Sequence, residues 1–285
     1  MASGHHLKEI HDNHKENMAF GALIKSCAVK KDISGGTRLH ADIVESGLLG
    51  KSPFLATTLV LMYVKCGVPS KAQEVLDQLA TKDVVSWSAL IAGYVQQGQG
   101  LEALKCFERM KKEGFSPNAI TYLCILKACC SGGAITNGQV VHANIVEIGL
   151  DGNHVVGSSI VGMYASSGFF IDANNVFNKI LNRDVVSWTA LIGGYSQYGH
   201  SQEALHCFQR MQLEALFPDA VTLVCILKAC GISRATHKGQ SIHVGIMSRN
   251  LLETDIVLRN ALIDMYGKCG ELSKAQDVFH NLPIR

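Results

Sequence analysis

Proline, charge and long apolar runs are all scarce in this sequence. Its 285 residues include only 5 prolines, so long uninterrupted helices are permitted. Charged residues make up 18% against a usual share of about 25%, which excludes a disordered polyelectrolyte. No stretch reaches the roughly 18 consecutive apolar residues of a membrane-spanning helix, so the sequence predicts a soluble protein. The net charge is only +2, so any contact with a nucleic acid must come from a local surface.

The first twenty residues resemble neither a transit peptide nor a secretory signal. They contain four histidines and three acidic residues but no arginine, and they lack a continuous apolar segment. Transit peptides are rich in arginine and serine and poor in acidic residues, and secretory signals need an apolar core. The sequence therefore shows no targeting segment, and 1–16 is expected to be a partial or irregular segment ahead of the repeats.

The chain repeats itself with an offset of 101 residues. The segment DVVSWSALIAGY from Asp83 returns as DVVSWTALIGGY from Asp184, and EALKCFERM from Glu102 returns as EALHCFQRM from Glu203. Residues 84–118 and 185–219 share 20 identities in 35 positions. Two further types of segment, each present in three copies, fill the chain between and around these two. Three repeat types of 35 or 36, 31 and 35 residues therefore alternate along the chain.

We divide the chain into consecutive repeats, the last of which is cut short by the chain end. They are 17–52, 53–83, 84–118, 119–153, 154–184, 185–219, 220–255 and 256–285.

Each repeat is predicted to form two helices. In 84–118, Trp87, Leu90, Ile91 and Tyr94 stand at i, i+3, i+4 and i+7, on one face of a first helix. Glycines then interrupt the pattern, and a second helix places its own apolar residues on one face, which are Ala103, Leu104, Phe107 and Met110. A single hairpin cannot bury both apolar faces, whereas stacked hairpins can. The predicted fold is an all-α solenoid, a right-handed superhelix of stacked helical hairpins.

Three residue types recur in register without indicating a metal or a cofactor. Nine of the ten cysteines fall into repeat columns about 100 residues apart, too far to converge on one ion, so they are interpreted as packed small apolar residues. His40, His142 and His243 form another column, interpreted as structural hydrogen-bonding residues. Trp87 and Trp188 occupy the same inner-face position and are predicted to be core. We expect no metal site and no cofactor.

The repeats resemble the pentatricopeptide repeat in its plant PLS form over 17–285. The P repeat is recognised from VVSWSALIAGY and EALKCFERM, the long L repeat from ILKACCSGGAITNGQVVHANIVEIG, and the short S repeat from NALIDMYGKCGELSKAQDVFHNLP. On this resemblance the L repeats are 17–52, 119–153 and 220–255, the S repeats are 53–83, 154–184 and 256–285, and the P repeats are 84–118 and 185–219.

The resemblance implies that the fifth and last residues of a repeat contact one RNA base, one base per repeat. The implied pairs are Thr57 with Asp83, Ser88 with Asn118, Ser158 with Asp184, and Thr189 with Asp219, and Asn260 is the fifth residue of the last repeat. The L repeats carry Gly21, Leu123 and Val224 at the fifth position. Because these side chains offer no hydrogen bond to a base, we expect the L repeats to discriminate little between bases.

The chemistry of the bases gives these pairs a preference. Guanine presents two donors on its pairing edge, so the carboxylate acceptor of an aspartate suits it, whereas adenine presents a donor beside an acceptor, which an amide matches. We therefore expect G then A for the first S and P repeats, G and G for the second pair, and a pyrimidine for the last repeat.

The resemblance implies a non-enzymatic protein that binds single-stranded RNA in a sequence-specific way. Members of the family are specificity factors in organellar RNA processing, commonly C-to-U editing, so a mitochondrial or chloroplast location is implied. Catalysis would come from a domain missing here or from a partner, and RNA-processing proteins are further expected partners, with no membrane involved. The alternative hypothesis is a helical-repeat scaffold of the tetratricopeptide kind that binds protein.

Overall fold

A computed structural model describes residues 2–79, 81–131, 134–249, 251 and 255–280, with side chains described from residue 16 onward. All regular structure in these residues is helical. The helices are α1 Ala2–Lys30, α2 Ile33–Glu45, α3 Pro53–Lys65, α4 Pro69–Gln78, α5 Val84–Gln96, α6 Gly100–Lys112, α7 Ala119–Ser131, α8 Ile135–Glu147, α9 His154–Ser166, α10 Phe170–Lys179, α11 Val185–Gln197, α12 Ser201–Leu213, α13 Ala220–Ser233, α14 Thr236–Ser248, α15 Ile256–Cys269 and α16 Leu272–His280.

The chain divides into two compact lobes, an N-terminal lobe of Met1–Ala134 and a C-terminal lobe of Ile135–Arg285. In the N-terminal lobe the first helices of the hairpins, α1, α3, α5 and α7, pack side by side in chain order. The second helices, α2, α4 and α6, pack onto the neighbouring first helices. We call these two sets the first-helix layer and the second-helix layer.

The C-terminal lobe has the same construction. Its first-helix layer contains α9, α11, α13 and α15, and its second-helix layer contains α8, α10, α12, α14 and α16. Among the described residues of both lobes, each helix contacts helices close to it in the chain, as expected for stacked hairpins. The predicted class, an α-solenoid of helical hairpins, is confirmed.

Glycines end the first helix of most hairpins. Gly98 follows α5 with φ +71°, and Gly199 follows α11 with φ +80°. A residue with a side chain pays a steric penalty in this left-handed region, whereas glycine does not. In both cases the glycine N–H donates to a carbonyl of the last helical turn, Val95 O or Ser196 O. The chain can then reverse within a few residues and begin the second helix.

The predicted apolar faces form the core. Trp87, Leu90 and Ile91 are fully buried on α5. Their partners on α6, Ala103 and Phe107, are buried as well. The same positions are buried in the other P repeat, where Trp188 has no exposed surface. The interpretation of the two tryptophans as core residues is confirmed.

The start of the chain is helical rather than irregular. Helix α1 begins at Ala2 and continues without a break to Lys30, fifteen residues ahead of the proposed start of the first repeat at 17. No proline or glycine occurs between His5 and Phe20, so nothing in the local sequence ends the helix there. Each later hairpin falls within one of the proposed repeats, whose exact limits stay a prediction. No helix in the described part of the chain is long and apolar enough to cross a membrane.

A close approach of two helices in the C-terminal lobe gives a stability prediction. A Cβ atom on Gly194 of α11 would lie 2.6 Å from the Ala165 Cβ and 2.8 Å from the Ala165 backbone oxygen of α9. We expect Gly194→Ala to lower the free energy of unfolding by about 1–3 kcal/mol, because the two backbones must move apart.

Gly162 of α9 is the matched control, since a Cβ there would lie 3.8 Å from the Ala190 Cβ, an ordinary contact. Gly162→Ala should raise the free energy of unfolding by about 0.5–1 kcal/mol through helix propensity alone. Denaturant titrations followed by circular dichroism measure both variants. Equal effects of the two substitutions would contradict the close packing of these helices.

Candidate nucleic-acid interface

In the four S and P repeats that another repeat follows, the last residue lies at the start of the next first helix and caps it. Asp83, Asp184 and Asp219 are the N-cap residues of α5, α11 and α13, and each accepts a hydrogen bond from the backbone N–H three residues later. Asn118 does the same ahead of α7, where its Oδ1 accepts from the Thr121 N–H at 2.9 Å. All four predicted residues are therefore held in place by the backbone that follows them.

In the P repeat 185–219, the hydroxyl of Thr222 connects the two residues of the predicted pair. The Thr222 hydroxyl donates to Asp219 Oδ1 at 2.7 Å, and Thr189 Oγ1 lies 2.5 Å from Thr222 Oγ1. The only proton of the Thr222 hydroxyl is used on Asp219, so Thr189 must donate to Thr222. Thr189 then keeps only acceptor lone pairs, and Asp219 Oδ2 has no partner among the described residues. The pair presents acceptors alone.

The other P repeat, 84–118, has the same connection but a different outcome. The Thr121 hydroxyl donates to Asn118 Oδ1 at 3.0 Å, and Ser88 Oγ lies 2.7 Å from Thr121 Oγ1. Because Asn118 Oδ1 accepts from both the N–H and the hydroxyl of Thr121, the amide orientation is fixed and Nδ2 remains a donor. Ser88, which is buried with 6% of its surface exposed, donates to Thr121 and keeps its acceptor lone pairs. This pair therefore presents one acceptor and one donor.

The S repeats lack this connection. Ser86 and Ser187 lie three residues after the capping aspartates, at the position where a threonine follows each P repeat. Both serine hydroxyls donate to the backbone carbonyl of the aspartate. Thr57 Oγ1 donates directly to Asp83 Oδ2 at 3.5 Å. Ser158 is buried, and its hydroxyl donates to a carbonyl of its own helix.

The structure therefore brings together Thr57 with Asp83 directly, and each P-repeat pair through a threonine. It shows no contact between Ser158 and Asp184 in the described residues. Asn260 is exposed on α15, and its repeat ends outside the described residues.

A row of exposed apolar side chains accompanies these residues and was missed in the sequence analysis. It lies at the second position of every repeat, three residues before the fifth position. Each of these side chains is between 43% and 62% exposed. The members are Met18, Phe54, Val85 and Ile120 in the N-terminal lobe, and Val155, Val186, Val221 and Val257 in the C-terminal lobe. Apolar side chains kept in solvent at one position of every repeat are typical of a binding surface.

The fifth positions of the L repeats are apolar in the structure as in the sequence. Gly21 is buried, and a Cβ there would lie 2.6 Å from a ring carbon of Phe54. Leu123 and Val224 are half-buried on α7 and α13.

The histidine column is a set of three identical hydrogen bonds at the junctions between L and S repeats. Nδ1 of His40, His142 and His243 lies 2.9, 3.0 and 2.9 Å from the hydroxyl of Tyr63, Tyr164 and Tyr266, respectively. The two rings meet edge to face each time. The interpretation of these histidines as structural hydrogen-bonding residues is confirmed.

These histidines should make the stability of the fold sensitive to acid. Burial lowers the pKa of each one, and nearby Lys71 and Lys179 lower the pKa of His40 and His142 further. The unfolded chain therefore takes up protons below about pH 6.5 that the folded chain refuses. Stability is fully present above that pH and falls as the pH drops toward the folded pKa values. We expect the melting temperature to decline from pH 7 to pH 5.

A variant tests the origin of this decline. In His243→Gln the melting temperature should depend less steeply on pH, because one of the three protonation sites is removed. An unchanged slope between pH 7 and pH 5 would assign the acid sensitivity to other groups.

The cysteines are thiols without disulfides. Cys106, Cys129, Cys207 and Cys230 are buried, and the others are half-buried. Burial raises the pKa of Cys106 to about 12 and that of Cys207 to about 11, so these thiols are protonated at neutral pH. Packing as small apolar groups is confirmed for the four buried cysteines. Within the described residues no three histidines, cysteines or carboxylates come together as metal ligands would.

Comparison with known sequences identifies the repeats. The family model described as PPR repeat family matches residues 82–131 and 183–231, and the model described as PPR repeat matches 257–283. This chain belongs to the pentatricopeptide repeat family. The distinction between L, S and P repeats stays a prediction.

Relatives in Arabidopsis thaliana carry the same repeats. A putative mitochondrial pentatricopeptide repeat-containing protein is 38% identical over 267 residues, covering 93% of this chain and 42% of the relative. A chloroplastic one is 36% identical over 262 residues, covering 92% of this chain and 42% of the relative. The chain thus spans about two fifths of the length of these pentatricopeptide repeat proteins.

Solved pentatricopeptide repeat structures share the fold. PPR10 in complex with an 18-nucleotide psaJ RNA element aligns with a TM-score of 0.71 and 20% identity, over 87% of this chain and 37% of that one. PPR10 from maize aligns with a TM-score of 0.69 and 20% identity, over 88% of this chain and 37% of that one.

Proposed function

We propose that this chain binds single-stranded RNA along its first-helix layers, without catalysing a reaction. The observation that carries the proposal is the repeated combination of an exposed apolar side chain at the second position with polar groups at the fifth and last positions. Bases have flat apolar faces and polar edges, so a surface that combines both properties in the S and P repeats suits unpaired nucleotides. The RNA-bound PPR10 structure, which has the same fold, supports this assignment.

The P repeats would each contact one base with a defined preference. At 185–219, Thr189 and Asp219 offer acceptors only, which complement the N1–H and N2–H₂ donors of guanine. At 84–118, Ser88 offers an acceptor and Asn118 a donor, which complement the N6–H₂ donor and the N1 acceptor of adenine. The S repeats lack the threonine connection, and there the aspartate acceptor alone is the basis for proposing guanine at Thr57 with Asp83 and at Ser158 with Asp184. A pyrimidine is proposed at Asn260.

The biological role we propose is that of a specificity factor in organellar RNA processing, with C-to-U editing as the process and catalysis supplied by another domain or protein. The relatives named as mitochondrial or chloroplastic support an organellar location. The proposal of editing depends on the PLS arrangement of repeats. Editing proteins and other RNA-processing proteins would be the further partners.

Filter binding to a pool of random single-stranded RNA, followed by sequencing of the retained fraction, tests the proposal. We expect enrichment of RNAs in which two positions lie between an A and a G, because the repeats 119–153 and 154–184 lie between 84–118 and 185–219. A duplex of the same sequence is the control and should bind weakly, because its base edges are paired. Absence of RNA binding, together with capture of an extended peptide, would favour the protein-binding scaffold instead.

A further inference from the structure

Each L repeat carries a lysine in the same place of its first helix. Lys25, Lys127 and Lys228 are the ninth residues of their repeats, within the segments LIKSC, ILKAC and ILKAC. All three side chains are exposed. None of them forms an ion pair with a carboxylate in the described part of the chain. The chain thus keeps three uncompensated positive charges at one repeated position.

These lysines lie on the face that carries the candidate nucleic-acid interface. The ninth residue follows the fifth by four positions, so both project from the same side of the helix. In the N-terminal lobe the contact is direct, because the Lys25 Nζ atom is 5.4 Å from the centroid of the Phe54 ring. Phe54 belongs to the exposed apolar row and also packs against Gly21. Lys25 is therefore next to the surface on which a base would lie.

The other two lysines stand at the same repeat position on their own helices. Lys127 is on α7, which packs against α5, and Lys228 is on α13, which packs against α15. The remaining repeats have no cation at the ninth position. Their residues are Leu61, Ala92, Gly162, Gly193 and Asp264, the last of which is paired with Lys268.

The chemistry of the L repeats is therefore the reverse of that of the P repeats. Their fifth residues, Gly21, Leu123 and Val224, have no group that can hydrogen-bond a base edge. One helical turn later each has an ammonium group, which binds a phosphate as a point charge and carries no sequence information.

We propose that the L repeats bind the RNA backbone, with Lys25, Lys127 and Lys228 each contacting a phosphate. This inference rests on the proposed function, since it assigns a role within the same RNA-binding surface. Each repeat triplet would then contain one backbone anchor beside the repeats that discriminate between bases, which fixes the register of the strand without limiting its sequence.

The test is the triple variant Lys25→Gln, Lys127→Gln, Lys228→Gln. Its dissociation constants for single-stranded RNA are measured at roughly 0.05 to 0.5 M KCl, a range in which counterion release dominates the salt dependence. Each lost phosphate contact should reduce the slope of log K against log salt by about 0.7, so the triple variant should lose about 2 in slope. At 0.1 M salt this corresponds to a loss of roughly a hundredfold in affinity. The preference for G over A at the 185–219 repeat should stay unchanged.

The matched control removes the same charge from the second-helix layer. Lys112, Lys179 and Lys238 are exposed on α6, α10 and α14, and their replacement by glutamine changes the net charge equally. This variant should bind RNA with nearly the wild-type slope. Equal losses in the two triple variants would overturn the inference, since net charge alone would then explain them, and so would a changed base preference in the first variant.

Wild-type binding of RNA separates this inference from the proposed function. If the wild type binds with a base preference and the first triple variant keeps the wild-type slope, the lysine assignment is wrong and RNA binding stands. If the wild type binds no single-stranded RNA, both are overturned.

Discussion

Trp188→Ala is expected to lower the free energy of unfolding by about 3–5 kcal/mol, the usual cost of truncating a large buried aromatic residue. Trp188 has no exposed surface, and its ring meets Phe177 edge to face at 4.6 Å between centroids. Its indole Nε1 also donates to Glu214 Oε2 at 3.0 Å. The substitution removes this packing and the hydrogen bond together, and α10, α11 and α12 close only partly over the cavity.

The other P repeat supplies a control for the hydrogen bond. Trp87 is equally buried, but in the described residues its Nε1 has no hydrogen-bond partner. Glu113, the counterpart of Glu214, is bound instead by Lys82 and Arg109. The substitution Trp188→Phe removes the hydrogen bond to Glu214, whereas Trp87→Phe removes a buried N–H donor that has no partner in the described residues. We expect Trp188→Phe to be the more destabilising of the two by about 1 kcal/mol or more.

Guanidinium titrations followed by helical circular dichroism measure all three variants. A loss of less than about 1 kcal/mol for Trp188→Ala would mean that the site is not a packed core, since changes of that size are typical of surface positions. Equal effects of phenylalanine at 87 and 188 would show that the bond from Trp188 to Glu214 contributes nothing to stability.

The hairpins and their core could be predicted from the sequence because their causes are local. The i, i+3, i+4, i+7 spacing of Trp87, Leu90, Ile91 and Tyr94 determines which face is buried, and Gly98 determines where the helix can reverse. Both signals recur at an offset of 101 residues, so each repeat supports the interpretation of the other. The start of α1 was not predicted, because the absence of a breaker is a weaker signal than its presence.

The candidate interface was predicted only in part, because several of its contacts join residues far apart in the chain. Thr222 meets Thr189 across 33 residues and so connects it to Asp219, and no periodicity shows which hydroxyl completes such a contact. Outside the interface, the same holds for the structural bond between Tyr63 and His40, which are 23 residues apart. Val85 was missed for another reason. It stands among apolar residues of the core segment, and only the packing shows that it faces solvent. The column of apolar residues at the second position was the available signal.

The base preference of the 185–219 repeat should change from G to A in Asp219→Asn. Asn and Asp are equally good N-cap residues, so α13 should be capped as before and the fold unchanged. The two donors of Thr222, its N–H and its hydroxyl, require an acceptor at the inner position. The asparagine must therefore place Oδ1 toward Thr222 and present Nδ2 where Asp219 presents Oδ2. One acceptor on the base-facing surface becomes a donor.

The size of the effect follows from what each base then meets. A guanine N–H facing the amide Nδ2 loses its hydrogen bond and meets a second donor, whereas the adenine N1 acceptor gains a partner. By analogy with the readout of DNA bases in the major groove, base discrimination of this kind is worth about 1–3 kcal/mol per good contact. Affinity for an RNA with G at this position should fall by about tenfold or more, since about 1.4 kcal/mol is a factor of ten.

The chain contains its own reciprocal control. The 84–118 repeat has the arrangement that Asp219→Asn would create, with Thr121 holding the amide oxygen of Asn118. Asn118→Asp should therefore shift its preference from A to G. Leu123→Ala in an L repeat should leave base preference unchanged, because no hydrogen bond is lost. Binding curves for RNAs that differ at a single base measure all three variants. Equal wild-type affinity for G and A opposite 185–219 would contradict the assignment of Asp219. If the base preference changes in only one of Asp219→Asn and Asn118→Asp, the threonine does not fix the orientation of the amide.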